Sequence, residues 1–508
     1  MAKAGAGLLA LHLGAIATSA ALIAVAAPGI GGRVWLAPLA FAPWFAVLRG
    51  LKPVVACLCG LVMGLAYIVP GRWDTFAAGI AADGHTGFTQ WLALWAFFAA
   101  FALPFALFGF VDAWLQRRLD TPATLTAPLR ASVLASLICG LWSPFPYTPA
   151  AMLMDWPALL QPAALGGEVL ILTLLLWPSA AVAALLHQPW NTHRTLALLA
   201  PVTLIWLTAW LWGNQRLQAF DAAQARGEGQ QLAALPLQLD LPTGAQATEL
   251  TRDRPNVVRS ALELTRAGLA QAPRCELAVW PETSLDINQT KIACSQASAM
   301  AKSLGLPLLL QCNHPEQDRW LVTAEFLQPN ARNEWGDVKW HAKSALVPFY
   351  EQPIFGGGPL LRGEYGTVFT LDAGRRILPA LCYELHSRNH VRAGVLNGAN
   401  VVAHMASFSA FARHPIDIWD TGLARIRAVE FGIPILRAAN RGPVGWIDSG
   451  GRAHSVGERL GRHSQCLDVW LPDRTPTLHT WIAPVAPWLP GLFALALAWG
   501  WRRRQPIV

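Results

Sequence analysis

The chain has 508 residues, of which 54% are hydrophobic and only 14% charged, and it carries 24 tryptophans. Soluble domains carry about 25% charged residues, so an entirely soluble protein is excluded. The formal net charge is +8, and basic residues flanking hydrophobic segments account for it as topology signals, without a nucleic-acid partner.

Residues 4–32 contain no Asp, Glu, Lys or Arg. At about 1.5 Å per residue they are long enough to cross about 30 Å of hydrocarbon. Further apolar segments follow at 34–47, 54–69, 91–114, 131–154, 164–186 and 195–212. The proline-rich second half of the fifth segment is expected to lie outside the bilayer. A last segment, 480–501, stops at Arg502-Arg503-Arg504. Eight spans are expected, divided into a membrane domain at 1–213, a soluble domain at 214–479, and a C-terminal span with a basic tail at 480–508. Arg49, Lys52, Arg117, Arg118, Arg194 and the triple arginine fall on one side of such a layout, with Lys3, while Arg33 and Arg72 fall on the other. The positive-inside rule then puts 214–479 on the non-cytoplasmic face. Two loops share that face, 71–90 and 142–160. The second carries Trp142, Phe145, Tyr147 and Trp156, and Trp and Tyr favour the bilayer interface.

The soluble segment alternates strand-like and helix-like patterns. Strands are expected at 232–241, 276–280, 306–311, 377–381, 401–404, 433–437 and 444–447, with an extended stretch at 339–348. Helices are expected at 255–271, 295–303 and 421–431, the last two closed by Gly305 and Gly432. Alternating units in a domain of this size predict an α/β fold with packed layers. Cys275, Cys294, Cys312 and Cys466 lie in this segment, and their spacing names no pairing.

Three residues in this segment carry chemistry. The apolar run 378–381 ends in Cys382, followed by Tyr383 and Glu384. A thiol at the end of a core strand is placed as a nucleophile, and the next backbone N–H can face an oxyanion. Glu282 follows the strand at 276–280 as Trp280-Pro281-Glu282, and Lys343 leads into an apolar run ending at Glu351. A carboxylate supplies the base that a thiol needs, and a lysine stabilises the tetrahedral intermediate.

This ordered Glu–Lys–Cys set resembles the nitrilase superfamily. With spans on both sides of the domain, the chain resembles the apolipoprotein N-acyltransferase branch. The resemblance extends to Pro162-Ala163-Ala164-Leu165-Gly166-Gly167, to Cys382-Tyr383-Glu384, and to Ala424-Arg425-Ile426-Arg427-Ala428-Val429-Glu430. It implies an α-β-β-α sandwich beside a multi-span helical membrane domain. It implies Glu282 as general base, Lys343 as oxyanion partner and Cys382 as nucleophile, with Glu351, Tyr383 and Glu384 near the substrate. It further implies a phospholipid acyl donor, an apolipoprotein acceptor, the inner membrane with a periplasmic catalytic domain, and no metal or other cofactor. The family's Gln-Gly-Asn-Ile-Pro-like sequence is replaced here by Gln238-Leu239-Asp240-Leu241-Pro242. Its Asn-Asp-Ala-Trp-Phe-like loop is replaced by Met405-Ala406-Ser407-Phe408-Ser409. These departures leave open a relative of conjugal-transfer proteins of the TraB kind, with a different acyl acceptor. The apolar, Gly/Pro-rich stretch 349–361 is expected to act as a lid.

Overall fold

The computed structural model describes residues 2–70, 72–74, 76–77, 87–119, 121–187, 189, 191–241, 255–282, 299, 302–328, 338–348, 351–352, 360–408, 416–473 and 476–504. It divides into two compact units. One comprises Met1–Ala77, His85–Arg216 and Trp481–Val508, and the other Ala78–Gly84 and Leu217–Thr480.

The first unit is helical. Among the described residues, five helices are long and apolar enough to cross a membrane, at Leu9–Ala26, Gly87–Arg118, Ala123–Gly140, Glu168–Leu186 and Thr192–Ala225. This is a membrane protein. Pro53–Ile68 packs against Gly87–Arg118 through small residues: a Cβ on Gly60 would meet the Phe105 carbonyl oxygen at 2.1 Å, and one on Gly64 the Ala102 Cα at 2.5 Å. Close backbone approach of this kind is how apolar helices associate where no water drives them together. Buried inside, Arg130 donates to both carboxylate oxygens of Asp112, at 2.9 and 2.8 Å, and to the Phe45 carbonyl at 2.8 Å.

Two sequence expectations change here. Residues 34–47 do not form one spanning helix. They split into a 3-10 turn at Val34–Leu39, with Pro38 inside it, and a short helix at Ala42–Val47 opened by Pro43. The two prolines break a run that is already too short to cross. The segment 131–154 is helical only to Gly140, and its proline-rich remainder forms turns, as expected. Within that remainder Trp142 is exposed, but Tyr147 is buried, stacked on Phe145 at 5.6 Å. It is core rather than an interface anchor.

The second unit is an α-β-β-α sandwich. Its strands are β1 (Gln230–Gln238), β2 (Leu277–Val279), β3 (Leu308–Glu316), β4 (Arg319–Leu327), β5 (Lys339–Ala342), β6 (Phe369–Thr370), β7 (Arg376–Leu381), β8 (Val401–Ser407), β9 (Ile435–Asn440), β10 (Val444–Ile447), β11 (Ala453–Val456), β12 (His463–Ser464) and β13 (Leu467–Leu471). They run in the order β5-β4-β3-β2-β1-β9-β8-β7-β6, with β10, β11, β12 and β13 off this path. The chain folds this path into two faces. Leu277, Val279, Leu309 and Phe326 from one half meet Ile377, Leu381, Met405 and Leu436 from the other in one apolar layer. The alternate residues point outwards. Ala278 and Trp280 pack towards the helix Pro255–Gln271, with Val258 and Leu262. Leu378 and Ala380 pack towards the helices Arg388–Leu396 and Ile416–Phe431. A period of two with both faces apolar is what a strand buried between two layers requires. Cys275, just before β2, is disulfide-bonded to Cys466, just before β13, and Cys312 is also disulfide-bonded.

β1, β2 and β3 run parallel, as do β7, β8 and β9. β5 is antiparallel to β4, which is antiparallel to β3, so β5 ends at the same edge as β3. Strand ends of this kind, at the carboxyl edge of parallel strands, are where open sheets place their sites.

Candidate active site

Glu282 follows β2, Lys343 follows β5 and Cys382 follows β7. The fold brings them together. Lys343 is 1% exposed, and its Nζ donates to Glu282 Oε1 at 3.0 Å and to Glu351 Oε1 at 2.7 Å. An ammonium has three protons, so one remains for the reacting centre. Glu351 is itself fixed, because its Oε2 accepts the Val347 N–H at 2.8 Å. Glu282 stands close enough to the Cys382 thiol to act on it electrostatically.

The electrostatics follow from this geometry. Burial opposes the charge on Lys343, but Glu282, Glu351 and Cys382 outweigh it and hold the ammonium well above its ordinary range. Burial pushes the Cys382 thiol well up. Glu282 and Glu351 push the same way, against Lys343. The resting nucleophile is therefore a neutral thiol poised against a carboxylate, and not a standing thiolate. Burial also raises the carboxyl of Glu351, with Lys343 opposing.

Cys382 has φ +46°, a left-handed conformation that a non-glycine residue keeps only where its surroundings enforce it. The chain turns there from β7 into the 3-10 helix Cys382–His386. Tyr383 is half-buried, with its ring centroid 5.0 Å from that of His386. Burial raises its phenol, with Arg362 opposing.

Glu384 was expected among the substrate contacts, but the structure turns it inward. It is 0% exposed. Oε2 accepts the Leu381 N–H at 2.8 Å, and Oε1 accepts the Ser344 N–H and hydroxyl, each at 2.6 Å. His341 Nε2 lies 2.9 Å from the same oxygen, and Ser344 Oγ lies 3.0 Å from His390 Nδ1. Burial disfavours the carboxylate, but His390, His341 and Ser344 hold it well below the usual range. His341, Glu384 and His390 offer three donor atoms within 4.8 Å of one another, the kind of set that can hold a metal ion. Here Glu384 accepts from Ser344 and from the Leu381 N–H and pairs with His341, whose Nδ1 has no hydrogen-bond partner among the described residues.

Sequence reasoning missed His341, Ser344, His390 and His404. His341 stands two residues before Lys343 on an extended segment, so a period of two already placed it on the same face. His390 belongs to the helix Arg388–Leu396, which was not expected. Its first turn is capped by the Ser387 hydroxyl, which accepts the His390 N–H. In the stretch 238–242, Gln238 keeps the family pattern and Asp240 departs from it, and both are tied down internally. Gln238 is fully buried and donates to the Glu458 and Arg459 carbonyls, and Asp240 pairs with Arg441 at 2.7 Å. Of the stretch 349–361, most lies outside the described residues.

The carbon-nitrogen hydrolase family profile matches residues 243–470. The apolipoprotein N-acyltransferase of Vibrio vulnificus is 24% identical over 438 residues, 79% of this chain and 80% of that one. That of Pseudomonas putida is 26% identical over 470 residues, 87% of each chain. Over most of its length the chain is similar to apolipoprotein N-acyltransferases, and it carries a carbon-nitrogen hydrolase domain. The Allorhizobium ampelinum member is 28% identical over 221 residues, a match that spans only 42% of that protein and 40% of this one. The solved structure of Nit3 from Saccharomyces cerevisiae, 16% identical with a TM-score of 0.39, covers 51% of this chain and 95% of its own.

Proposed function

We propose that this protein is an acyltransferase of the inner membrane. It moves an acyl chain from a phospholipid through a Cys382 thioester to the α-amino group of a lipoprotein's N-terminal diacylglyceryl-cysteine. The observation that carries the chemistry is the cluster itself: the Cys382 thiol beside Glu282, with the buried Lys343 ammonium held against that carboxylate at 3.0 Å.

In the first half-reaction Glu282 takes the thiol proton as sulfur attacks the ester carbonyl. Lys343 and the Tyr383 N–H face the oxyanion. Collapse breaks the ester C–O bond, Glu282 protonates the departing lysophospholipid alcohol, and the thioester remains. In the second half an amine attacks the thioester, Glu282 takes its proton, and the amide forms as the thiol is regenerated. Glu351 keeps Lys343 charged, and Glu384 fixes the backbone on both sides of the site.

Two features support a periplasmic catalytic unit. Disulfides persist in oxidising compartments, and Cys275–Cys466 and Cys312 are disulfide-bonded. The basic residues agree even though 34–47 is too short to cross. With 53–68 and 480–501 kept as crossings, dropping 34–47 moves Lys3 to the domain's side and leaves Arg33, Arg49, Lys52, Arg117, Arg118, Arg194 and Arg502–Arg504 opposite. The conjugal-transfer alternative finds no support among the relatives described above. The test is complementation of a strain depleted of its own apolipoprotein N-acyltransferase. Growth with the wild-type chain and none with Cys382→Ala is expected. Failure of the wild-type chain, expressed and inserted, would contradict the proposed acceptor.

A further inference from the structure

His404 lies on β8 in register with Ala380 of β7, and it is 0% exposed. Its Nε2 is 3.1 Å from the carbonyl oxygen of Cys382. Burial drives the imidazole down to about 4, with Asp420 opposing and Arg437 assisting, so the ring is neutral at physiological pH. A carbonyl oxygen only accepts, so the proton sits on Nε2 and His404 donates to Cys382. The other ring nitrogen, Nδ1, has no hydrogen-bond partner among the described residues.

The peptide that His404 grips is the one that matters to the chemistry. The Cys382 carbonyl and the Tyr383 N–H belong to a single planar trans unit, so they point in opposite directions. Drawing the carbonyl towards His404 in the core aims the N–H the other way. The residue that carries this peptide is already strained, at φ +46°, and needs its surroundings to hold it there. We propose that His404 is a positioning residue that sets the Cys382–Tyr383 peptide and, through it, the direction of the Tyr383 N–H as oxyanion donor. This rests on Cys382 being the nucleophile proposed above. Nothing in the sequence marks His404, which stands one residue before the loop that departs from the family pattern.

The test uses two reagents on the purified full chain in detergent micelles. The first, p-nitrophenyl butyrate, acylates Cys382 through a tetrahedral intermediate and reads the oxyanion donor. The second, iodoacetamide, alkylates the same thiol by displacement and forms no oxyanion. His404→Leu removes the donor, whereas His404→Gln keeps an N–H. For His404→Leu we expect acylation to slow by about 10²-fold, the lower end of the cost of losing an oxyanion donor, while alkylation keeps the wild-type rate. His404→Gln should recover most of the acylation. Wild-type acylation by His404→Leu overturns the inference, as does a parallel fall of acylation and alkylation in both variants, which marks a packing role. If His404→Leu does not fold, His404→Asn, whose shorter amide falls short of the carbonyl, takes its place with the same outcomes. A wild-type chain that reacts with the ester but transfers nothing from phospholipid overturns the acyltransferase reading and leaves the positioning result standing.

Discussion

Lys343 sits between two carboxylates, and this placement makes the site work as a unit. With Glu282 at 3.0 Å and Glu351 at 2.7 Å, one ammonium offsets two negative charges beside a thiol. Lys343→Met keeps much of the stem but removes an oxyanion partner and leaves two buried carboxylates facing one another. One of them then holds a proton, as like charges in a shared site cannot both ionise. We expect a loss of at least about 10²–10³ in the rate of Cys382 acylation. Glu282→Gln keeps the shape but takes no proton, so the raised thiol stays protonated and acylation should fall at least as far. Single-turnover acylation followed by intact-protein mass spectrometry checks both. Near-normal rates in both variants would assign base and oxyanion roles to other residues. These three residues stood out in the sequence because Glu282 and Cys382 each follow an apolar strand and Lys343 leads into an apolar run. Glu384 was legible as chemistry but misplaced, because a run of letters does not show whether a carboxylate points to a cleft or into the core.

Among the elements, the join between β7 and the segment after β5 is what Glu384 secures. Its carboxylate holds the N–H before the nucleophile and the N–H after Lys343 at once. Glu384→Gln turns one acceptor into a donor facing another donor. Leaving such buried groups unsatisfied costs about 1–3 kcal/mol each, so we expect a lower melting temperature together with slowed acylation. Glu351→Gln, which keeps an acceptor for Lys343, should lower the melting temperature less. Differential scanning fluorimetry with the acylation assay checks this, and an unchanged melting temperature in Glu384→Gln would remove the proposed join. Most strands could be read from their apolar runs. β4 could not, since it returns from β3 through a turn at Gln317, a non-glycine residue at φ +55°, with none of the Gly or Asn that signal a hairpin. The helix Arg388–Leu396 is short, opens on three polar residues and has an apolar stripe of only Val391 and Val395, so its sequence does not stand out from a loop. The segment 34–47 misled in the opposite way. It is apolar throughout, but Pro38 and Pro43 divide it.

For the whole molecule, composition alone separated a membrane part from a soluble part, because 14% charge over 508 residues forces the charges to cluster. The sandwich itself was legible as an α/β pattern, and its four-layer form came from resemblance. Sidedness is a separate claim. An alkaline-phosphatase fusion at Gln289 should be active and one at Val508 inactive; the reverse pattern would put the catalytic unit in the cytoplasm. The proposed reaction requires that Cys382 accept an acyl chain and keep it until an amine arrives. Incubating the purified chain with phospholipid and no acceptor, and weighing the intact protein, tests this directly. Wild-type protein should gain an acyl mass that neutral hydroxylamine removes and that Cys382→Ala never shows. Steady release of free fatty acid with no trapped adduct, or an adduct that survives in Cys382→Ala, would contradict it.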